Sequence, residues 1–279
     1  MEKMNVSEQD VLDQQKNGQF MEVLRKRLMP FIGIFAFLAI WEIIVRILDL
    51  PTYLLPTPTE IVQEIILKYQ DILDHSWVTA YEMILGYLLA IAVAVPMAIA
   101  ITASPSFDQF ITPILLFFQT VPKISIAPLF LVWFGVGILP KVLVAFLISF
   151  FPIIIDTAVG LRSIHPDMVD LARSMGATER QFFMRFRLPT SLPYLFSGLK
   201  VAASLAVVGA VVGEFVGADR GLGYLLLVAN SNLLTPLMFG TIVALTVQGL
   251  ILFYIIQALE TVLIPWHITV RSGQEHGTM

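Results

Sequence analysis

Cysteine is absent from the chain, which excludes a disulfide framework, a thiol nucleophile and thiolate metal ligands. Charge is scarce. Asp, Glu, Lys and Arg make up 14% of 279 residues against 57% apolar residues, and the mean hydropathy is +0.82. That balance excludes a soluble globular domain and points to an integral membrane protein. The four histidines (His75, His165, His267, His276) are scattered, no His-Glu-x-x-His occurs, and no Gly-x4-Gly-Lys-Ser/Thr loop is present. No catalytic residue, metal site or cofactor is therefore expected, and the chain has no phosphate loop with which to bind ATP itself. A basic patch interleaved with aromatics is also missing, so nucleic acid is not an expected partner.

What the chain has instead is apolar length. Runs at about 29–48, 79–101, 110–136, 141–161, 195–215 and 237–264 approach or exceed the roughly 20 residues that cross a bilayer. They predict an all-α, polytopic membrane protein with six transmembrane helices. The expected organisation is a polar tail over 1–27, a transmembrane body over 28–266 and a short tail over 267–279. The polar lead is too long, and the first run too charged at Glu42 and Arg46, for a cleaved signal peptide. Those two residues stand four apart, in the order that favours a self-neutralising helical pair. Thr57, Pro58 and Glu60 then form a helix-start signal, and apolar residues follow at helical spacing to Leu73. This predicts an interfacial helix, too polar to cross, that braces the surface.

Polar residues inside the runs mark the interior. The third run contains Pro113, Pro122 and Pro128 together with Gln119, Lys123 and Ser125. Irregular polar backbone at membrane depth needs surrounding protein or a water-filled cavity, so this run is expected to face a path through the body. Lys123 must be paired, snorkelled or functional. It is expected to touch substrate, to pair with a carboxylate such as Asp156 or Glu214, or to sit at a helix end, and Gln119, Lys123, Asp156 and Glu214 form the candidate pathway set. Glu214 is expected near the outer end of the fifth run, facing the mouth of the path or water. Gly209 and Gly213 in that run have the spacing that lets helices approach closely. The segment 216–236 reads as an outer loop whose short apolar helix dips inward as a gate. It is no dinucleotide fingerprint, because no strand precedes it and Leu226 takes the third glycine position.

Basic residues set the orientation. The leading tail holds Lys3, Lys16, Arg25, Lys26 and Arg27, the 162–187 loop holds five arginines, and the closing tail holds Arg271. The opposite loops hold only Lys68, Lys141 and Arg220. By the positive-inside rule both termini and the 162–187 loop are expected in the cytoplasm.

That loop is a charged island between apolar runs. Pro166 suits a first helical position, Gly176 supplies a left-handed residue to close a helix, and Thr178 with Gln181 spells a capping box for a second. Leu188-Pro189 is expected to stop it. Met168, Leu171, Ala172 and Met175 share one face on the helical period, and Phe182, Phe183 and Phe186 cluster on the second helix. Such a pair fits either a partner's groove or an anionic lipid surface.

The spacing of this loop resembles the EAA loop of ABC importer permeases: an acidic-Ala-Ala triplet, three residues, Gly, nine residues, an apolar residue, one more, then Leu-Pro. Here it reads Asp170-Leu171-Ala172, Gly176, Phe186, Leu188-Pro189. The departures, Asp for Glu, Leu for Ala and Phe for Ile, keep charge sign and apolar character. Resemblance extends over roughly Pro56 to Trp266. The runs LLPTPTEIV, TAYEMILGYLLA, VPKISIAPLFLVWFGVG and LETVLIPW are similar to the nitrate/sulfonate/taurine branch of binding-protein-dependent permeases. GEFVGADRGLGYLL resembles members linked to thiamine-pyrimidine precursor or riboflavin uptake, and Glu82 stands where many of the branch have Arg. The resemblance implies a type I permease fold in the cell inner membrane, a homodimer with a second copy, two cytoplasmic ATPase subunits, an external substrate-binding protein and alternating access. Asp170, Leu171, Ala172, Gly176, Phe186, Leu188 and Pro189 are then the ATPase-coupling residues. The rival class is an ion-coupled transporter or channel with Lys123, Asp156 and Glu214 as relays, which leaves the Gly176-centred loop without a purpose.

Overall fold

A chain that crosses hydrocarbon satisfies its backbone polar groups by forming α-helix or a closed barrel, and this chain takes the first route. The computed structural model describes residues 28, 29 and 31–266, with α1 over 31–47. It is followed by α2 (Pro58–Leu67), α3 (Tyr69–Ala103), α4 (Pro105–Thr120), a 3-10 turn (Lys123–Ile126) and α5 (Ala127–Phe134). Then come α6 (Ile138–Arg162), α7 (Pro166–Ser174), α8 (Glu179–Phe182), a π turn (Phe183–Arg187), α9 (Leu188–Gly217), α10 (Leu222–Ser231) and α11 (Thr235–Leu263). No strand occurs among the described residues. The expected tails over 1–27 and 267–279 lie outside them.

Four stretches are long and apolar enough to cross a bilayer: α3, α6, the run Glu179–Gly217 and α11. A fifth crossing is made by α4 and α5 if they are taken as one span, bent by 88° at the break before Lys123. The helical residues 31–47 are shorter than these, so the expected count of six is not reached on length among the described residues.

Two boundaries differ from expectation for physical reasons. The capping box at Thr57 forms, with Thr57 N–H donating to Glu60 Oε2 at 2.7 Å and Glu60 N–H to Thr57 Oγ1 at 3.2 Å. The helix it starts breaks at Lys68, however, and Tyr69 begins a continuous 35-residue helix that includes the second span. With no proline or glycine between Tyr69 and Trp77, nothing separates the polar first turns from the apolar part. Leu188-Pro189 does not end a helix either. The π turn at Phe183–Arg187 widens the ladder just before Pro189, which has no N–H to donate, and α9 continues. In the third run the bend falls at the Pro122 break, as irregular backbone was expected to.

At the centre of the bundle stands α6, 61% buried over its apolar window against 11% for α11. It is flanked by α3 and α9 at close range. A side chain at Gly86 of α3 would meet Ala145 Cβ at 2.5 Å, and one at Gly209 of α9 would meet Ala145 Cα at 2.5 Å. Bilayers give no hydrophobic drive between helices, so small residues gain their contacts by letting backbones touch. Buried Tyr87 ties the outer two layers together by donating to Leu199 O at 2.9 Å.

Candidate functional site

The loop between α6 and α9 folds as its cap residues dictate. Gly176 has φ +70, a conformation side chains resist. Around it Gly176 N–H donates to Arg173 O and Ala177 N–H to Ala172 O, each at 3.0 Å, the double closure of a Schellman motif. Thr178 N–H then bonds Gln181 Oε1 at 2.9 Å while Gln181 N–H bonds Thr178 Oγ1 at 3.3 Å. The turn is thus fixed from both sides. Asp170 and Leu171 are exposed, whereas Ala172 is buried. Ala172 therefore does not share the outer face of Met168, Leu171 and Met175, which leave 41%, 51% and 73% of their surface open. Phe186 stacks on buried Phe182 at 5.8 Å, with Arg187 over the Phe182 ring at 5.4 Å. Leu188 and Pro189 are half-buried where α9 begins.

The structure does not join the four candidate pathway residues. Gln119 is exposed at the end of α4, and Lys123 Nζ bonds its carbonyl at 3.0 Å while lying 4.6 Å from the centroid of Phe151. A cation at a helix C-terminus and over an aromatic face is stabilised by both, so Lys123 pairs with neither Asp156 nor Glu214. Half-buried Asp156 makes no side-chain hydrogen bond or ion pair among the described residues, and it packs where a Cβ on Gly198 would come within 2.9 Å of its own. Glu214 faces neither the mouth of a path nor water, being 1% exposed.

Glu214 belongs instead to a buried polar cluster about 30 Å along α6 from Arg162. Lys141, expected where an outer loop enters the fourth run, lies in the first turn of α6, buried against Glu82 of α3 with Nζ 2.8 Å from Oε1. One turn before Glu82, Thr79 donates to Glu214 Oε1 at 2.6 Å and accepts from Leu222 N–H at 2.7 Å. The other Glu214 oxygen accepts from Gly223 N–H, and Gly221 N–H donates to His75 Nδ1 at 2.9 Å. Sequence reasoning did not assemble His75, Thr79, Glu82 and Lys141. Their signal was present as two lone charges of opposite sign near the ends of separate apolar runs, where each needs the other. A second such pair, Lys200 with Glu260 at 2.8 Å, joins α9 to α11 beside a cleft of about 600 Å³ lined by Pro189, Tyr194 and Trp266.

With this geometry in view, similarity to known proteins is decisive. Residues 86–266 match the family described as binding-protein-dependent transport system inner membrane component. The chain belongs to that family. This permease is 37% identical over 240 residues to the formylaminopyrimidine transport permease protein ThiX of Halalkalibacterium halodurans, covering 86% of this chain and 96% of that one. It is 30% identical over 232 residues to the putative aliphatic sulfonates transport permease protein SsuC of Bacillus subtilis, covering 82% and 84%. Its fold matches a chain of the inward-facing MetNI methionine ABC transporter, with TM-score 0.59 and 19% identity, covering 71% of this chain and 96% of that one. The permease is a transport protein and not an enzyme, a multi-pass component of the inner membrane with the all-α type I fold.

Proposed function

We propose that this permease, with a second copy of itself, forms the translocation path of an ATP-driven importer for a small heterocyclic solute of the vitamin-precursor kind. A cytoplasmic ATPase grips the α7–α8 loop, an external binding protein delivers the solute, and the crossing helices rock between inward and outward openings. The observation that carries this reading is the α7–α8 turn itself. Its Schellman and capping-box closures make it a rigid lever, and its Met168, Leu171 and Met175 face is open and adaptable, as a surface seated in a partner's groove requires. Asp170, Leu171, Ala172, Gly176, Phe186, Leu188 and Pro189 are the coupling residues of the proposal. Ala172, Phe182 and Phe186 seat the lever on the body, and the exposed residues meet the ATPase. Exposed Gln119 and half-buried Lys123, polar residues at the bend, are its pathway candidates together with Asp156.

ThiX, which carries formylaminopyrimidine by name, favours a heterocycle over a sulfonate as solute, since its identity and coverage exceed those of SsuC. The excess of arginine in the α7–α8 loop supports the placing of that loop, and with it both termini, in the cytoplasm. The test is a cross-link. Met175→Cys in the otherwise cysteine-free chain should couple to the ATPase subunit in membranes and shift on ATP binding. A Met175→Cys protein that never links to the ATPase while Asp71→Cys does would overturn the proposal.

A further inference from the structure

The first N–H groups of any helix lack intrahelical partners, and a side chain at the N-cap normally takes one of them. The N-cap of α10 is Gly221, which has no side chain. Its three leading donors are instead taken by other helices: Gly221 N–H by His75, Leu222 N–H by Thr79 and Gly223 N–H by Glu214. His75 and Thr79 stand on α3, Glu214 on α9, and the Thr79–Glu214 bond closes the set. Glycine is required at both ends of the cap, since a Cβ on Gly221 or Gly223 would lie 2.2 or 2.7 Å from a Glu214 oxygen. The carboxylate also meets the positive end of the α10 dipole. Leu222, at the centre of the cap, is fully enclosed.

We infer that His75, Thr79 and Glu214 are positioning residues for α10, which they seat as the outer gate of the permease and release once in each transport cycle. This rests on the reading of the chain as an alternating-access importer. The seat is shared between two helices, so parting α3 from α9 breaks the Thr79–Glu214 bond and frees α10 from at least one of them. Hydrogen bonds suit that use, because each freed group finds water on opening and its partner again on closing. Turning points flank α10 on both sides. Gly221 has φ +114, and Leu233 just past its C-terminus has φ +57, a conformation rare for a branched side chain. No local cap would hold α10 in place once the two helices part.

Two measurements on the full-length chain, assembled with its ATPase in vesicles, decide the matter. Asp74 of α3 and Tyr224 of α10 line one outer cleft of about 720 Å³. In the Asp74→Cys/Tyr224→Cys variant, joining the thiols with a cleavable bis-thiol reagent should lower ATP-dependent uptake at least tenfold, and cleavage should restore it. Linked protein that transports at its unlinked rate overturns the inference, although the ATP dependence of that uptake would leave the importer reading standing. Independently of uptake, Leu222→Cys reports the seat by its reaction with an impermeant thiol reagent. Thr79→Val strands the Leu222 N–H and one Glu214 oxygen, and it should speed labelling about tenfold or more relative to Thr79→Ser, which keeps the hydroxyl. Equal rates in the two backgrounds would refute the seat.

Discussion

Replacing Gly209 with Ala adds a single methyl where none fits. A Cβ there would stand 2.5 Å from Ala145 Cα, 3.1 Å from Ala145 N and 3.2 Å from Val144 O, whereas carbon atoms rest comfortably at about 3.5–4.0 Å. Every atom it meets is α6 backbone, so no rotamer change relieves the overlap and the helices must part by about 1 Å. Two effects oppose. Alanine is the better helix former by about 0.8–1.0 kcal/mol, and overpacking costs about 1–3 kcal/mol, toward the upper end when rigid backbone must move. The clash wins, leaving a net loss of roughly 1–2 kcal/mol. At about 2–4 °C per kcal/mol for a chain of this size, the melting temperature of the purified protein in detergent should fall by roughly 2–8 °C. Gly33→Ala is the control, because a Cβ there meets nothing within 4 Å and the propensity gain acts alone. Uptake by Gly209→Ala should drop further than stability does, since Glu214 lies on the same helix little more than one turn on. If Gly209→Ala melted as high as Gly33→Ala, the claimed contact of α6 and α9 backbones would be wrong.

Other substitutions test other parts of the account. Lys141→Met leaves Glu82 buried without its cation and should cost about 3–5 kcal/mol, while adding Glu82→Gln should recover most of that loss; equal melting temperatures for the single and double variants would disprove the pairing. Leu233 occupies the left-handed position that closes α10, with Leu234 N–H on Ala229 O at 2.8 Å. Leu233→Gly should therefore gain about 0.5–1 kcal/mol and Leu233→Ala should not, and identical stabilities would remove the strain argument. In intact cells an impermeant thiol reagent should reach Asp71→Cys and spare Arg180→Cys; the reverse pattern would invert the topology.

Local chemistry was the legible part of this sequence. Thr57 with Glu60, Thr178 with Gln181, and Gly176 each form the cap that their spacing announces, because a cap involves residues within one turn of each other. Glu42 and Arg46 pair at 2.6 Å for the same reason, with Thr59 completing the group. What spacing alone does not show is how the chain continues past a local signal. Leu188-Pro189 looks like a stop, yet a π turn accommodates the proline and carries the helix on. Tyr69 to Trp77 looks interfacial, yet nothing in it breaks the helix that crosses. Tertiary partners were harder still. For Lys123 the sequence leaves substrate, a carboxylate and a helix end open, and it takes the helix end, on a carbonyl and over a ring, because the 88° bend swings it onto the end of α4 and over Phe151. Glu214 and Thr79 are 135 residues apart, and only the packing of α3 beside α9 brings them to the start of α10.

The claim on which the rest depends is that ATP, bound by another subunit, drives this permease through the α7–α8 turn. Vesicles holding the permease, its ATPase and its binding protein measure this directly when solute accumulation is followed for the native chain and for Gly176→Val. A β-branched residue strains φ +70, so the account predicts ATP-dependent accumulation by the native chain and loss of most of it by the variant, with the crossing helices still folded. Accumulation that proceeds without the ATPase, or that is unchanged by Gly176→Val, would contradict it.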